Sequence, residues 1–341
     1  MSNFLKICLL GLAHGFNDCA AGYMIGTLPS WAGGDWLEPG MLVLLYNALA
    51  FGGQVPAGLL VDRIGNARLV VVGCLAMAAI ALAIFPVAPT TAISLVGVAG
   101  AFFHVAGGKI ALLAFPGSAV GAGLFAAPGV MGLTMGGYWA WAGWSIIPGL
   151  MVAAAALLVL ILVLKMPEGA APPSPEVEDT FGWHDFLMVV LLLAIGLRSA
   201  IWNMVEMIHS GDHGLLVALG AAAFVGKIWG GFAAQWWGWR RYGVLALLIA
   251  TPLLAALGNR VWALIPGIFL LQSATPAAVM GMYRLMPKLP ATAVGMCFGM
   301  AIALGGIPMV MDWNPGLWIA VAALPLAGMG YWVALRTRVG N

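Results

Sequence analysis

The sequence predicts an all-α polytopic membrane protein, with twelve transmembrane helices in two pseudo-symmetric six-helix bundles. Three observations predict it. Charged residues make up 8% of the 341-residue chain and hydrophobic ones 63%, whereas a soluble globule carries roughly 25% charged residues. Apolar stretches long enough to cross a hydrocarbon core of about 30 Å as helix recur from end to end. One long polar connection, residues 166–183, divides them six and six. Lipid-facing backbone must satisfy its own hydrogen bonds, which leaves helices or a closed barrel. The long runs do not have the short alternating pattern of barrel strands.

The first apolar run begins at Phe4 and holds His14, Asn17 and Asp18. It reaches Trp31 without an evident cleavage site, so it reads as a first helix over 5–30 and not as a removed leader. Further helices are predicted over 40–60, 68–87, 91–113, 119–140 and 144–165, then over 184–207, 214–236, 242–258, 261–282, 289–311 and 315–335. Pro116, Pro128 and many glycines interrupt the signal around the fifth. The connection 166–183 is dominated by Pro, Ser and acids and cannot bury enough apolar surface to pack. It reads as a cytoplasmic linker between bundles 1–165 and 184–341.

An even number of spans puts both termini on one side. That side collects Lys6, Arg63, Arg68, Lys165, Arg240, Arg241, Arg284, Lys288, Arg336 and Arg338, and the other holds Arg260. The positive-inside rule therefore predicts cytoplasmic termini in a cytoplasmic (inner) membrane. Asp35, Glu38, Asp212 and Asp312 fall in or near outward loops. Trp31, Trp36, Trp183, Trp236, Trp237, Trp239, Trp313 and Trp318 fall near interfaces, where amphipathic rings anchor helices. Trp139, Trp141, Trp144, Trp202 and Trp229 are placed to shape an interior or a helix contact. Cys8, Cys19, Cys74 and Cys297 form no CxxC pair and read as small buried hydrophobes.

Two internal echoes support the division into halves. Gly58-x-x-x-Asp62-Arg63 ends the second helix, and Gly231-x-x-x-Gln235 ends the eighth, with basic residues following both. Pro116-Gly-Ser-Ala-Val-Gly121 pairs more weakly with Pro290-Ala-Thr-Ala-Val-Gly295. Parallel six-helix repeats can rock about a central site. In the first motif Gly58 permits close helix contact and Gly65 a tight turn. Asp62 is placed to accept hydrogen bonds from a helix N-terminus, or to pair with a basic group across the interface between halves. Gly58, Asp62, Arg63, Gly65 and Arg68 are thus gating candidates, or else a plain solvated turn.

The segment Gly58-x-x-x-Asp62-Arg63-x-Gly65-x-x-Arg68 resembles the loop motif of the major facilitator superfamily. His14-Gly-Phe-Asn17-Asp18 and Ala101-Phe-Phe-His104 are similar to motifs of its fosmidomycin-resistance-like branch, with Val105 where a proline usually follows the histidine. The resemblance implies the major facilitator fold and a monomeric secondary transporter, often an exporter driven by protons.

Polar groups inside apolar helices carry the functional reading, because a charge in hydrocarbon costs at least about 2.5–3.5 kcal/mol. His14 and Asp18 share one helix face and, with Glu206, are the proton-coupling candidates. The alternative for the first two is a static hydrogen-bonded pair. Arg198, Lys227, His104, Lys109, Gln54 and Tyr283 are the substrate-binding candidates. A guanidinium suits carboxylate or phosphate-like groups; the alternative for Arg198 is an internal ion pair with Asp18 or Glu206. By the repeat register Lys227 matches Gln54, on helices two and eight. Lys109 has the alternative of snorkelling to the boundary.

These groups predict proton-coupled secondary transport of a small anionic or zwitterionic compound, with export favoured. An exporter of amphipathic cationic drugs using Asp18 and Glu206 is the second reading, and a non-transport membrane subunit or receptor the third. No HExxH site, phosphate loop, nucleophile elbow or metal cluster appears in the sequence, so no enzyme, cofactor or metal is expected. The basic collar is explained by topology, so no nucleic acid is expected as a partner.

Overall fold

The computed structural model describes residues 1–30, 38–167, 183–257 and 260–310. The predicted helix 315–335, most of the linker, and Trp31, Asp35, Trp36, Asp312, Trp313, Trp318, Arg336 and Arg338 lie outside them. The first half comprises α1 (Asn3–Thr27), α2 (Pro39–Asn47), α3 (Gln54–Ile64), α4 (Ala67–Ile84), α5 (Pro89–Ala114), α6 (Val120–Trp141) and α7 (Ile147–Val163). The second comprises α8 (Trp183–Ile208), α9 (His213–Trp237), α10 (Trp239–Leu257), α11 (Val261–Ser273), α12 (Thr275–Leu285), α13 (Pro290–Gly295) and α14 (Ala301–Val310). Six helices among the described residues are long and apolar enough to cross a membrane, or seven with α2 and α3 as one span bent by 40°. The helix α1 is as long, but buries His14, Asn17 and Asp18.

Local chemistry sets the helix ends. Asn66 Oδ1 accepts from the Leu69 N–H at 3.0 Å, and Asp212 Oδ1 from the Leu215 N–H at 2.9 Å. Gly65 closes α3 with φ +76°, a conformation that favours glycine. Proline opens α5, α12 and α13, where its missing N–H is no loss. Two expected single helices are interrupted by π-helical turns, Ala48–Gly52 before α3 and Met296–Met300 after α13.

Contacts gather several helix ends and basic groups into one region, the basic end: Asn3 at the start of α1 donates to the Ala114 carbonyl at the end of α5 at 3.4 Å, Lys109 meets Asp62 beside Arg63, and Arg240 and Arg284 flank the ring of Trp239. Arg68 Nε donates to the Ile161 carbonyl at 3.0 Å, fastening α4 to the last turns of α7.

Small residues set the helix spacing. A Cβ at Gly132 of α6 would stand 2.0 Å from the Gly15 carbonyl oxygen of α1, and one at Gly22 would stand 2.3 Å from that of Leu133. Backbone lies against backbone here, as in tightly packed membrane helices. Gly132→Ala is expected to destabilise by about 1–3 kcal/mol, the usual range for overpacking. Gly73→Ala meets nothing within 4 Å and serves as the neutral control. Thermal midpoints in detergent read both.

The halves meet through the two sequence echoes. Gly58 of α3 packs on α13, where an added Cβ would lie 2.7 Å from Thr292 Cα. Gly231 of α9 packs on the start of α6, where a Cβ would lie 3.1 Å from the Ala119 carbonyl oxygen and from Val120 Cα. Each glycine motif of one half thus seats the Pro-led helix start of the other. The second span meets the eleventh and the eighth meets the fifth.

Trp141, Trp144 and Trp229 are exposed, and Trp141 makes a helix contact, stacking on His213 of α9 with centroids 4.0 Å apart. Trp239 is buried, with the Arg240 and Arg284 guanidinium carbons 5.4 and 5.6 Å from its ring.

Candidate functional site

At the basic end, Asp62 joins the halves. Its Oδ1 accepts from the Ala291 N–H at 3.1 Å, and its Oδ2 from the Thr292 N–H at 3.0 Å and the Thr292 hydroxyl at 2.9 Å. These are first-turn donors of α13, which have no intrahelical acceptor. Lys109 Nζ lies 3.1 Å from Asp62 Oδ1 and also donates to the Val61 carbonyl at 3.4 Å. Lys109 therefore sits with the interface carboxylate, apart from His104, Arg198 and Lys227 among the substrate-binding candidates. Arg63 is exposed on the last turn of α3. The equivalent Gln235 is exposed in α9, and Ser118 Oγ accepts the Val120 N–H at 3.2 Å instead.

Mid-way along α1, Asp18 lies between two imidazoles. Asp18 Oδ2 is 3.2 Å from His14 Nε2 and 3.4 Å from His104 Nε2 of α5. Asn17 Nδ2 donates to the other carboxylate oxygen at 3.1 Å. All four side chains are buried. His14 stacks on Phe125 at 4.5 Å between centroids and meets His104 edge-on at 4.6 Å. Gly129 of α6 leaves room for the cluster.

Mid-way along α8, buried Arg198 donates to Gln272 Oε1 at 2.8 Å and to Ser199 Oγ at 3.3 Å. Its Nε has no hydrogen-bond partner. Among the described residues no carboxylate pairs with it, so the ion pair with Asp18 or Glu206 is not formed. A cavity of about 20 Å³ adjoins the guanidinium, between Ile195, Gly243, Leu247 and Ala278. It holds roughly one water-sized group. Lys227 of α9 is partly buried, within electrostatic reach of Arg198, Asp18 and Glu206. Glu206 accepts a hydrogen bond from the Trp202 side chain.

Gln54 donates to the Ala50 carbonyl at 2.9 Å, leaving its Oε1 buried without a partner. It packs on the π turn Met296–Met300, since a Cβ at Gly299 would lie 2.5 Å from Gln54 Cβ. Tyr283 is buried in the last turn of α12. Gln272, Ser199, Thr292 and Gly129 escaped the sequence reading. Gln272-Ser-Ala-Thr275, a polar run inside an apolar span, was the one available signal.

Solved structures share this architecture. A variant of the E. coli fucose:proton symporter FucP superposes with a TM-score of 0.71 at 14% identity, covering 100% of both chains. The chain has the major facilitator fold. FucP in the outward conformation gives a TM-score of 0.72 at 13% identity, again over 100% of both chains. The human organic anion transporter MFSD10 gives 0.71 at 17% identity, over 98% of this chain and 99% of that one. No family model and no curated protein matches the sequence.

Proposed function

We propose that this chain is a secondary transporter of the major facilitator superfamily. It moves a small anionic or zwitterionic compound across the cytoplasmic membrane by alternating access, as a monomer, with both termini in the cytoplasm. The observation that carries the reading is Arg198: a buried cation in mid-bundle, held by neutral Gln272 and Ser199, with one donor unused. A charge so placed needs an anionic partner during the cycle, and a transported anion supplies one. Lys227 adds positive field beside it. Solved structures of the same fold include an organic anion transporter and a proton symporter, which agrees with this chemistry.

Access alternates at the basic end. Asp62, with Gly58, holds α13 of the second half against α3 of the first, and Lys109 neutralises it. Gly65 and Arg68 fix the adjoining turn. The cavity at Arg198 admits about one water, so solute reaches the guanidinium only after a conformational change that widens it. The driving ion is the proton, carried at Glu206, which faces Lys227 from α9. Export is the favoured direction, on the resemblance of Gly58–Arg68 and His14–Asp18 to exporter motifs.

A counterflow screen in proteoliposomes under an imposed pH gradient tests the reading. Uptake of one or more anions or zwitterions, accelerated by the gradient, is the expected result. Uptake confined to organic cations would leave the anion reading without support.

A further inference from the structure

The cluster around Asp18 brings two imidazole nitrogens and one carboxylate oxygen to a single point. His14 Nδ1 lies 2.8 Å from the Phe125 carbonyl oxygen, and His104 Nδ1 contacts the Gly100 carbonyl oxygen. A carbonyl oxygen only accepts, so each Nδ1 carries a proton. In the neutral ring each Nε2 then presents a lone pair. Both face Asp18 Oδ2, itself an acceptor, and the three atoms lie within 4.8 Å of one another. His14 Nε2 is buried and without a hydrogen-bond partner.

The two histidine–carboxylate distances fit a shared cation. Charge-assisted N–H···O bonds run about 2.7–2.9 Å, shorter than the 3.2 and 3.4 Å observed. Ligand bonds of about 2.0–2.1 Å around a tetrahedral zinc-type ion give ligand–ligand edges of ~3.3 Å. The bare Cα of Gly129 closes the site on one side: a Cβ there would stand 2.4 Å from His14 Nε2 and 2.8 Å from Asp18 Oδ2, so no side chain fits against the ligand atoms. Ligating histidines typically donate their other N–H to a backbone carbonyl, as both do here, and Asn17 steadies the second carboxylate oxygen.

We propose that His14, His104 and Asp18 form a binding site for a divalent transition-metal ion of the zinc class. Two imidazoles and one carboxylate suit such an ion better than calcium or magnesium. Three protein ligands leave a fourth position open, and Lys227, within electrostatic reach of Asp18 and His104, favours an anion there. The sequence reading assigned His14 and Asp18 to protons and no residue to a metal. The third ligand comes from 86 residues beyond Asp18, and only the fold brings it in. This inference does not rest on the transport reading.

The test uses the full chain in detergent, purified on a tag without histidine and stripped with chelator. Titration with Co²⁺ is expected to give the visible bands of a tetrahedral ion at one equivalent, displaced by Zn²⁺. His104→Gln removes a ligand, and Gly129→Ala drives a methyl against His14 Nε2 and Asp18 Oδ2, displacing them from the site without changing their chemistry. Each is expected to weaken Co²⁺ binding by at least about 100-fold, the upper end of what loss of a supporting contact alone does. Absent bands at millimolar Co²⁺, or bands that survive both substitutions, would overturn the proposal. Should the variants fail to fold, X-ray absorption of the zinc-loaded wild type decides: imidazole scattering supports the site, and sulfur or oxygen-only ligation overturns it.

Discussion

Replacing Asp62 with Ala is expected to open the basic end of the bundle. The carboxylate accepts three hydrogen bonds from Ala291 and Thr292 and faces Lys109. Its loss strands a largely buried ammonium and two helix-start N–H groups. Removing one partner of a buried pair costs about 3–5 kcal/mol, and every 1.4 kcal/mol is about tenfold in an equilibrium. The equilibrium between this state and one opened at the basic end should shift by roughly 100-fold or more. Spin labels at Ile64 and Lys288, both exposed on that end, should report a longer distance by double electron–electron resonance. Asp62→Asn, which keeps one acceptor oxygen, should shift it less. An unchanged distance distribution in Asp62→Ala would show that the contact holds nothing in place.

Replacing Arg198 with Met is expected to abolish anion transport while sparing insertion. Methionine is flexible enough to refill the site, and Gln272 and Ser199 remain to bond each other or water. The guanidinium is the sole five-donor group that the structure buries in mid-bundle among the described residues. Hydrogen bonds to a charged group contribute about 1.5–3 kcal/mol each, so two such bonds to a bound anion represent 100-fold or more in rate or affinity. Initial counterflow rates normalised to reconstituted protein read the effect. Arg198→Lys should recover part of it, because it keeps the charge and loses the planar fork. Normal transport by Arg198→Met would remove Arg198 from recognition.

The helices were legible because lipid imposes length and apolarity on each span, and 5–30, 91–113 and 214–236 fall close to α1, α5 and α9. The π turns at Ala48–Gly52 and Met296–Met300 were not, since one extra residue per turn leaves the apolar run intact. Asp62 was legible as an acceptor for a helix start, because Gly58 and Gly65 frame it. Its partner was not, since Thr292 lies 230 residues away. Helical spacing joined His14 to Asp18 but carried no information about His104. The fold sends His104 to Asp18 and Lys109 to Asp62. The run Gln272-Ser-Ala-Thr275 is polar but carries no charge, so nothing in the sequence marks Gln272 as the partner of Arg198.

On the proposed reading, a buried guanidinium matched by no fixed carboxylate among the described residues awaits a transported anion. Fluorescence titration with organic anions and cations matched in size, on wild type and Arg198→Met side by side, tests it most directly. Trp202, one turn from Arg198 and bonded to Glu206, lies beside the site. Saturable quenching by anions in wild type, lost in Arg198→Met and not produced by cations, is the predicted result. Quenching by cations alone, or anion quenching that persists in Arg198→Met, would contradict it.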